Sequence, residues 1–327
     1  MSVRPAVRGA AVLAAAALLA TGCRSDDGQG TGATASSSGA FPVTVGTAFG
    51  DVTVEEEPVR VVALGWSDAE TALALGVQPV GASDWLGFGG EGVGPWADGL
   101  YDESPEIIET MEPSFEAIAA LEPDLILDTR SDGTQTRYDL LSEIAPTIGL
   151  PEGVDAWQTT WQQQLESVGQ ALGRTEEAGE LAAEVARAFE DAAAAHPEFE
   201  GTEIAVGAYT SEGFGAYVRG DNRVDFMEQI GFTNTPAIQD LAGENFYVPV
   251  SDEHVSLLDA PLTVVFPIFV DAGAITSHPL WRTLGSVQQG HAVVMDDEQL
   301  VSAFSSGSAL GTLYALENTV PLFAAAL

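Results

Sequence analysis

The segment RVVALGWSDAETALALGVQPVG, residues 60–81, decides the fold. Val59–Leu64 is a β-branched run of the kind that fills a buried strand. Ser67-Asp68-Ala69-Glu70 reads as a helix start, with Ser67 as N-cap and Glu70 three residues on. Gly76 ends that helix, and Pro79–Ala82 gives a second short strand. Working outward, Glu116–Leu121 is predicted helical, Asp124–Leu127 a strand and Arg137–Ile144 helical. Strands and helices in alternation argue for an α/β lobe with a mostly parallel sheet.

Residues 155–195 change character, with few glycines and many Ala, Glu, Gln and Leu. They predict two helices, Ala156–Leu172 and Thr175–Ala195, separated at Gly173. The second is long enough to connect two bodies. From Thr202 the alternation resumes: Glu203–Ala208 strand, Val224–Ile230 helix, Leu262–Phe266 and Ala292–Met295 strands, Gly311–Leu322 helix. The layout is lobe, helical connector, lobe. Ligands of such folds sit in the cleft, at the carboxyl ends of the strands.

The chain start is read separately. Arg4 and Arg8 precede an apolar run, Ala10–Ala20, which is too short for a permanent span of about 20 residues. It ends at Thr21-Gly22-Cys23, and Cys23 is the one cysteine of the chain. That order resembles a bacterial lipobox, in which the cysteine is lipidated and becomes the new N-terminus. Residues 24–40 are small and polar, unable to build a core, and read as a tether. The expected organisation is a signal peptide at 1–22, an anchor, tether and short lead-in at 23–58, a first lobe at 59–154, a connector at 155–198 and a second lobe at 199–327.

Charge and motifs exclude several classes. The 327 residues carry 11 basic side chains, all arginine, against 49 acidic ones, a net −38. Such a surface repels nucleic acid. Gly87-Phe88-Gly89-Gly90-Glu91-Gly92 matches a dinucleotide fingerprint in letters only. Val93-Gly94-Pro95 follows it, where the fingerprint needs a helix to open. The four histidines, His196, His254, His278 and His291, share no helix face, so no metal-ligand cluster is expected. No nucleophile elbow, phosphate loop or zinc-protease motif occurs, so an enzyme has no positive support.

Aromatics and the scarce arginines fall near strand ends. Trp66 follows the first strand, Trp85 opens the glycine-rich loop, and Arg130 follows the strand that ends at Asp128. Tyr209, Tyr217 and Arg219 follow the strand that ends at Ala208, and Tyr247 precedes a helix start. Rings with a few fixed donors suit a bulky organic ligand with polar edges. These seven are the candidate ligand-binding residues. Trp157 and Trp161, four apart in a predicted helix, are expected in the core.

The opening segment resembles the iron-siderophore and cobalamin binding proteins of ABC importers. So do EPSFEAIAALEPDLIL (112–127), YVRGDNRVDFMEQIGF (217–232), VSDEHVSLLDA (250–260) and PLWRTLGSVQQGHAVVM (279–295). The resemblance covers nearly all of Arg60–Leu327. It implies two Rossmann-like lobes, each a three-layer α/β/α sandwich, joined by one long helix with limited closure. It also implies permease docking through one glutamate per lobe, at Glu116 and Glu253. The implied protein is a monomeric, lipid-anchored receptor on the extracytoplasmic face of the cell membrane. It would hand a ferric siderophore to ABC permease and ATPase subunits and hold no cofactor of its own, the iron arriving inside its chelate. Few basic residues favour a neutral or cationic complex, such as a ferric hydroxamate, over an anionic catecholate. Heme, cobalamin and ferric citrate-like chelates stay open, as does a two-lobed extracytoplasmic enzyme.

Overall fold

A computed structural model describes residues 41–243 and 245–327. The described chain opens with β1 (Val43–Thr47) and β2 (Gly50–Val54), which form an antiparallel hairpin.

The first lobe runs β3 (Val61–Ala63), α1 (Asp68–Ala74), β4 (Gly81–Ser83), β5 (Glu106–Ile108), α2 (Phe115–Ala120), β6 (Leu125–Leu127), α3 (Gln135–Ser142) and β7 (Thr147–Ile148). Its sheet is wholly parallel, in the order β5-β4-β3-β6-β7. Every residue of β3 and β6 is buried, because helices cover both faces of a parallel sheet. Side chains alternate between those faces. Val61, Ala63, Leu125 and Leu127 face the large central core, while Val62 and Ile126 face the layer with Ile118 and Leu141.

Two helices follow, α4 (Trp161–Ala171) and α5 (Thr175–Ala195). The 21-residue α5 matches the expected connector residue for residue. At 1.5 Å per residue it is about 30 Å long. α4 begins later than expected. Thr160 accepts from Gln163 N while the Gln163 side chain accepts from Thr160 N, a capping box that fixes the start at Trp161.

The second lobe runs β8 (Glu203–Thr210), β9 (Gly213–Tyr217), α6 (Asn222–Gln229), β10 (Thr233–Asn234), α7 (Pro236–Gln239) and β11 (Tyr247–Val250). A 3-10 turn (Asp252–Leu258) leads to β12 (Leu262–Pro267), α8 (Ala272–Ser277), α9 (Gly285–Gln289), β13 (Ala292–Val294), α10 (Glu298–Ser306) and α11 (Ala309–Ala325). Its sheet is mixed, in the order β11-β9-β8-β12-β13, with β10 also on β8. β9 and β11 are antiparallel additions that the strand–helix alternation did not anticipate.

One hydrophobic core joins the lobes. Val61 and Leu127 of the first sheet, Leu165 and Val185 of the connector, and Val206 and Phe266 of the second sheet belong to a single buried cluster. Phe189 of α5 packs edge-on to Phe226 of α6, with ring centroids 5.4 Å apart.

Candidate functional site

The loops after β3, β4 and β6 converge where the lobes meet. Trp66 stacks on Trp85 at 4.3 Å and on Trp157 at 4.4 Å. Trp157 is thus a wall residue and not the core helix residue that spacing suggested. It lies before the capped start of α4, in the left-handed region at φ 65°. Strained backbone of this kind concentrates at functional sites. Trp161 is in the core, as expected.

Arg130 lies against this stack, its guanidinium carbon 5.6 Å from the Trp66 ring centre and 6.0 Å from that of Trp85. Nε donates to Trp157 O at 3.0 Å and Nη1 to Ser306 O at 3.2 Å. The second contact crosses to the other lobe. It is possible because residue 307 is glycine: a Cβ there would come within 2.6 Å of Arg130 Nη1. Burial lowers the Arg130 pKa to about 10, so the group stays charged at neutral pH.

The second lobe meets Arg130 with Arg223 rather than Arg219. Arg223 lies in the first turn of α6 and pairs through Nε and Nη2 with Asp221, which caps that helix. Its guanidinium sits 3.9 Å from the centre of the Tyr217 ring. Burial opposes its charge, yet Asp221 outweighs burial and holds the pKa above the ordinary guanidinium range. Arg223 Nη1 donates to the Ser305 hydroxyl at 3.3 Å, next to the Ser306 carbonyl that Arg130 reaches, and its charge helps to lower the Arg130 pKa. Arg219 instead is exposed and pairs with Glu228 at 2.8 Å, so its fork is already occupied by a carboxylate. The signal for Arg223 was present in Asp221, an N-cap residue two positions before it.

Strand alternation sorts the tyrosines. Tyr217 and Tyr247 are direct cross-strand partners, with ring centroids 5.7 Å apart. The Tyr247 ring lies across Gly215, where a Cβ would fall 2.0 Å from the phenol. Tyr209 points to the opposite face of the sheet and packs on Phe214 and His278. The structure therefore groups Tyr217 and Tyr247 with Arg223, and leaves Tyr209 out.

Beside Arg130, a cavity of about 380 Å³ lies between the lobes, lined in part by Gln158, Thr160, Asn222, Asp225 and Gln229. The glycine-rich loop is irregular, as expected. Asp84 braces it by accepting from Phe88 N and Gly89 N.

The first turn of α1 departs from the sequence reading. Ser67 is left-handed and does not cap the helix; its hydroxyl donates to Ser306 O across the lobe junction. Glu70 does not bond back to the cap. It accepts from Gly94 N at 3.1 Å and from the Ser308 hydroxyl of the other lobe. Burial raises the pKa of Glu70, and raises that of Asp68 to about 6. The residues that look like a capping box are interlobe contacts.

Glu116 is exposed in the first turn of α2, and Glu253 is exposed in the first turn of the 3-10 segment. Among the described residues no group of three or more His, Cys, Asp or Glu could hold a metal ion. Cys23 lies outside the described residues.

Comparison with known proteins gives a consistent picture. The family profile described as periplasmic binding protein matches residues 61–299. The Fe(3+)-citrate-binding protein YfmC of Bacillus subtilis (strain 168) is 26% identical over 305 residues, covering 87% of each chain. The probable siderophore-binding lipoprotein YfiY of the same organism is 27% identical, covering 75% of this chain and 77% of its own. A crystal structure of a periplasmic solute binding protein from Mycobacterium smegmatis superposes with a TM-score of 0.76 at 29% identity. It covers 86% of this chain and 98% of that one.

Proposed function

Because this chain belongs to the periplasmic binding protein family, we propose that it is the extracytoplasmic receptor of an ABC importer and that it captures a ferric siderophore. The observation that carries the reading is that Arg130 and Arg223, from opposite lobes, bond to the successive residues Ser306 and Ser305, with a wall of stacked indoles beside Arg130. Rings contact the organic shell of a chelate, and guanidinium forks donate to its oxygens. The iron arrives as cargo with its coordination already filled.

A hydroxamate chelate fits the charge best. Asp221 neutralises Arg223, and Arg130 makes no ion pair among the described residues. The site thus offers little net positive charge to a trianionic catecholate. The similarity to YfmC favours a second reading, a ferric citrate-type ligand. Quenching of tryptophan fluorescence at fixed ionic strength separates these, with ferrioxamine B, ferrichrome, a ferric catecholate, ferric citrate, heme and cobalamin as probes. Hydroxamates binding tightest is the expected result. Tight binding of ferric citrate alone replaces the ligand class, and binding of no probe removes the receptor reading. Arg130→Ala and Arg223→Ala should each weaken binding about ten- to a hundredfold, the equivalent of one charge-assisted hydrogen bond.

Delivery would use Glu116 and Glu253 as contacts for the permease. The receptor would be held at the membrane by a lipidated Cys23, and an unmodified Cys23 in the mass spectrum of the mature protein would overturn the anchor.

A further inference from the structure

Asp68 is completely buried and, among the described residues, has no cation bonded to it. Its partners are four neutral donors drawn from three segments. Oδ2 accepts from Gly65 N and Thr129 N, both at 3.0 Å. Oδ1 accepts from the Thr129 hydroxyl and, at 2.7 Å, from Gln164 Nε2. Gly65 immediately precedes Trp66, and Thr129 immediately precedes Arg130. Gln164 belongs to α4, and its Nε2 also donates to Trp66 O at 2.8 Å. The approach is so close that a Cβ on Gly65 would lie 2.2 Å from Asp68 Oδ2 and 2.8 Å from Arg130 N.

Resting on the receptor reading above, we propose that Asp68 is the positioning residue of the ligand site: its carboxylate sets the loops of Trp66 and Arg130 in register with each other and with α4. A carboxylate suits the task because it is acceptor-only, with room for four donors. An amide of the same shape would turn an N–H₂ toward two of them. Burying an anion without a cation is costly, and that cost falls where the loops of Trp66 and Arg130 are both tied to a single carboxylate. The negative charge also favours the protonated form of Arg130, partly offsetting the burial that lowers its pKa.

The test uses the mature protein carrying Asp68→Asn, with Thr129→Val as a milder variant that keeps the shape of its side chain and removes one donor. The first readout needs no ligand: exciton-coupled circular dichroism of the Trp66–Trp85–Trp157 stack, measured well below the melting temperature. The second is the Kd for ferrioxamine B. Asp68→Asn should abolish the exciton couplet while the helical signal persists, and weaken binding at least tenfold. Thr129→Val should reduce the couplet and weaken binding about three- to tenfold. Val185→Ala, a core change in α5, should lower the melting temperature while leaving couplet and Kd as in wild type. A normal couplet in Asp68→Asn, or in Thr129→Val if the first variant does not fold, overturns the proposal. Failure of the wild type to bind any probe removes the receptor reading, and the couplet still decides the role of Asp68.

Discussion

Asp68 and Glu70 are carboxylates in a place that penalises their charge, and this has a sign in pH. The pKa of Asp68 is raised by burial from 3.8 to about 6, with Asp128 adding to the rise and the Thr129 bonds opposing it. The folded state therefore binds the proton more tightly than the unfolded chain. The corresponding stability is fully present below pH 3.8 and is lost as pH rises through about 6. For this fully buried group the span is about 3 kcal/mol. Calorimetry from pH 3.5 to 7.5 should show the wild type losing stability relative to Asp68→Asn across that window; parallel curves would refute it. The same residues show where sequence reading stops. Ser67-x-x-Glu70 has the letters of a capping box, yet both side chains bond across to Ser306 and Ser308, more than 200 positions away in the chain. Arg219 and Arg223 lie four positions apart, and the one sequence mark between them is the Asp221 cap two residues before Arg223. In the structure the Asp221 carboxylate holds Arg223 in the interior, and Glu228 holds Arg219 at the exposed surface.

Among the elements, those whose burial is one-dimensional were legible. β3 and β6 are short runs of wholly buried apolar residues, and α5 is a glycine-poor stretch whose buried Ala178, Val185 and Phe189 fall on helical spacing. Elements defined by their neighbours were not. β9 reads Gly-Phe-Gly-Ala-Tyr and β11 contains Pro249, poor strand formers by composition. They form because each lies against a partner: Gly215 makes room for the Tyr247 ring, and Tyr217 pairs with Tyr247. Gly215→Ala should therefore push Tyr247 out of place. The overpacking costs about 1–3 kcal/mol, and ligand affinity should fall several-fold because Tyr247 packs on Tyr217, the ring under Arg223. Urea denaturation and the fluorescence titration read the two effects. Unchanged stability would show that the sheet absorbs the methyl by shifting β11.

On the scale of the whole molecule, recognition divides between a cleft and an outer surface. Glu116 and Glu253 are exposed, and exposed charges contribute only about 0–1 kcal/mol to folding. Glu116→Arg combined with Glu253→Arg should leave siderophore affinity and Tm near wild type while abolishing uptake in cells. Lost affinity in the purified double variant would place these residues at the ligand, and normal uptake would end the docking role. The shared hydrophobic core has a thermodynamic consequence. Pulling the lobes apart would divide that common core and expose apolar surface to water, so binding cannot draw on a large swing between open and closed bodies. The apolar area removed from water on loading is then little more than the footprint of the ligand itself. Titration calorimetry over a range of temperatures should return a small negative heat-capacity change that grows with the size of the chelate, because that quantity reports buried apolar surface. A value large enough for domain closure, and the same for every ligand, would mean that the common core parts after all.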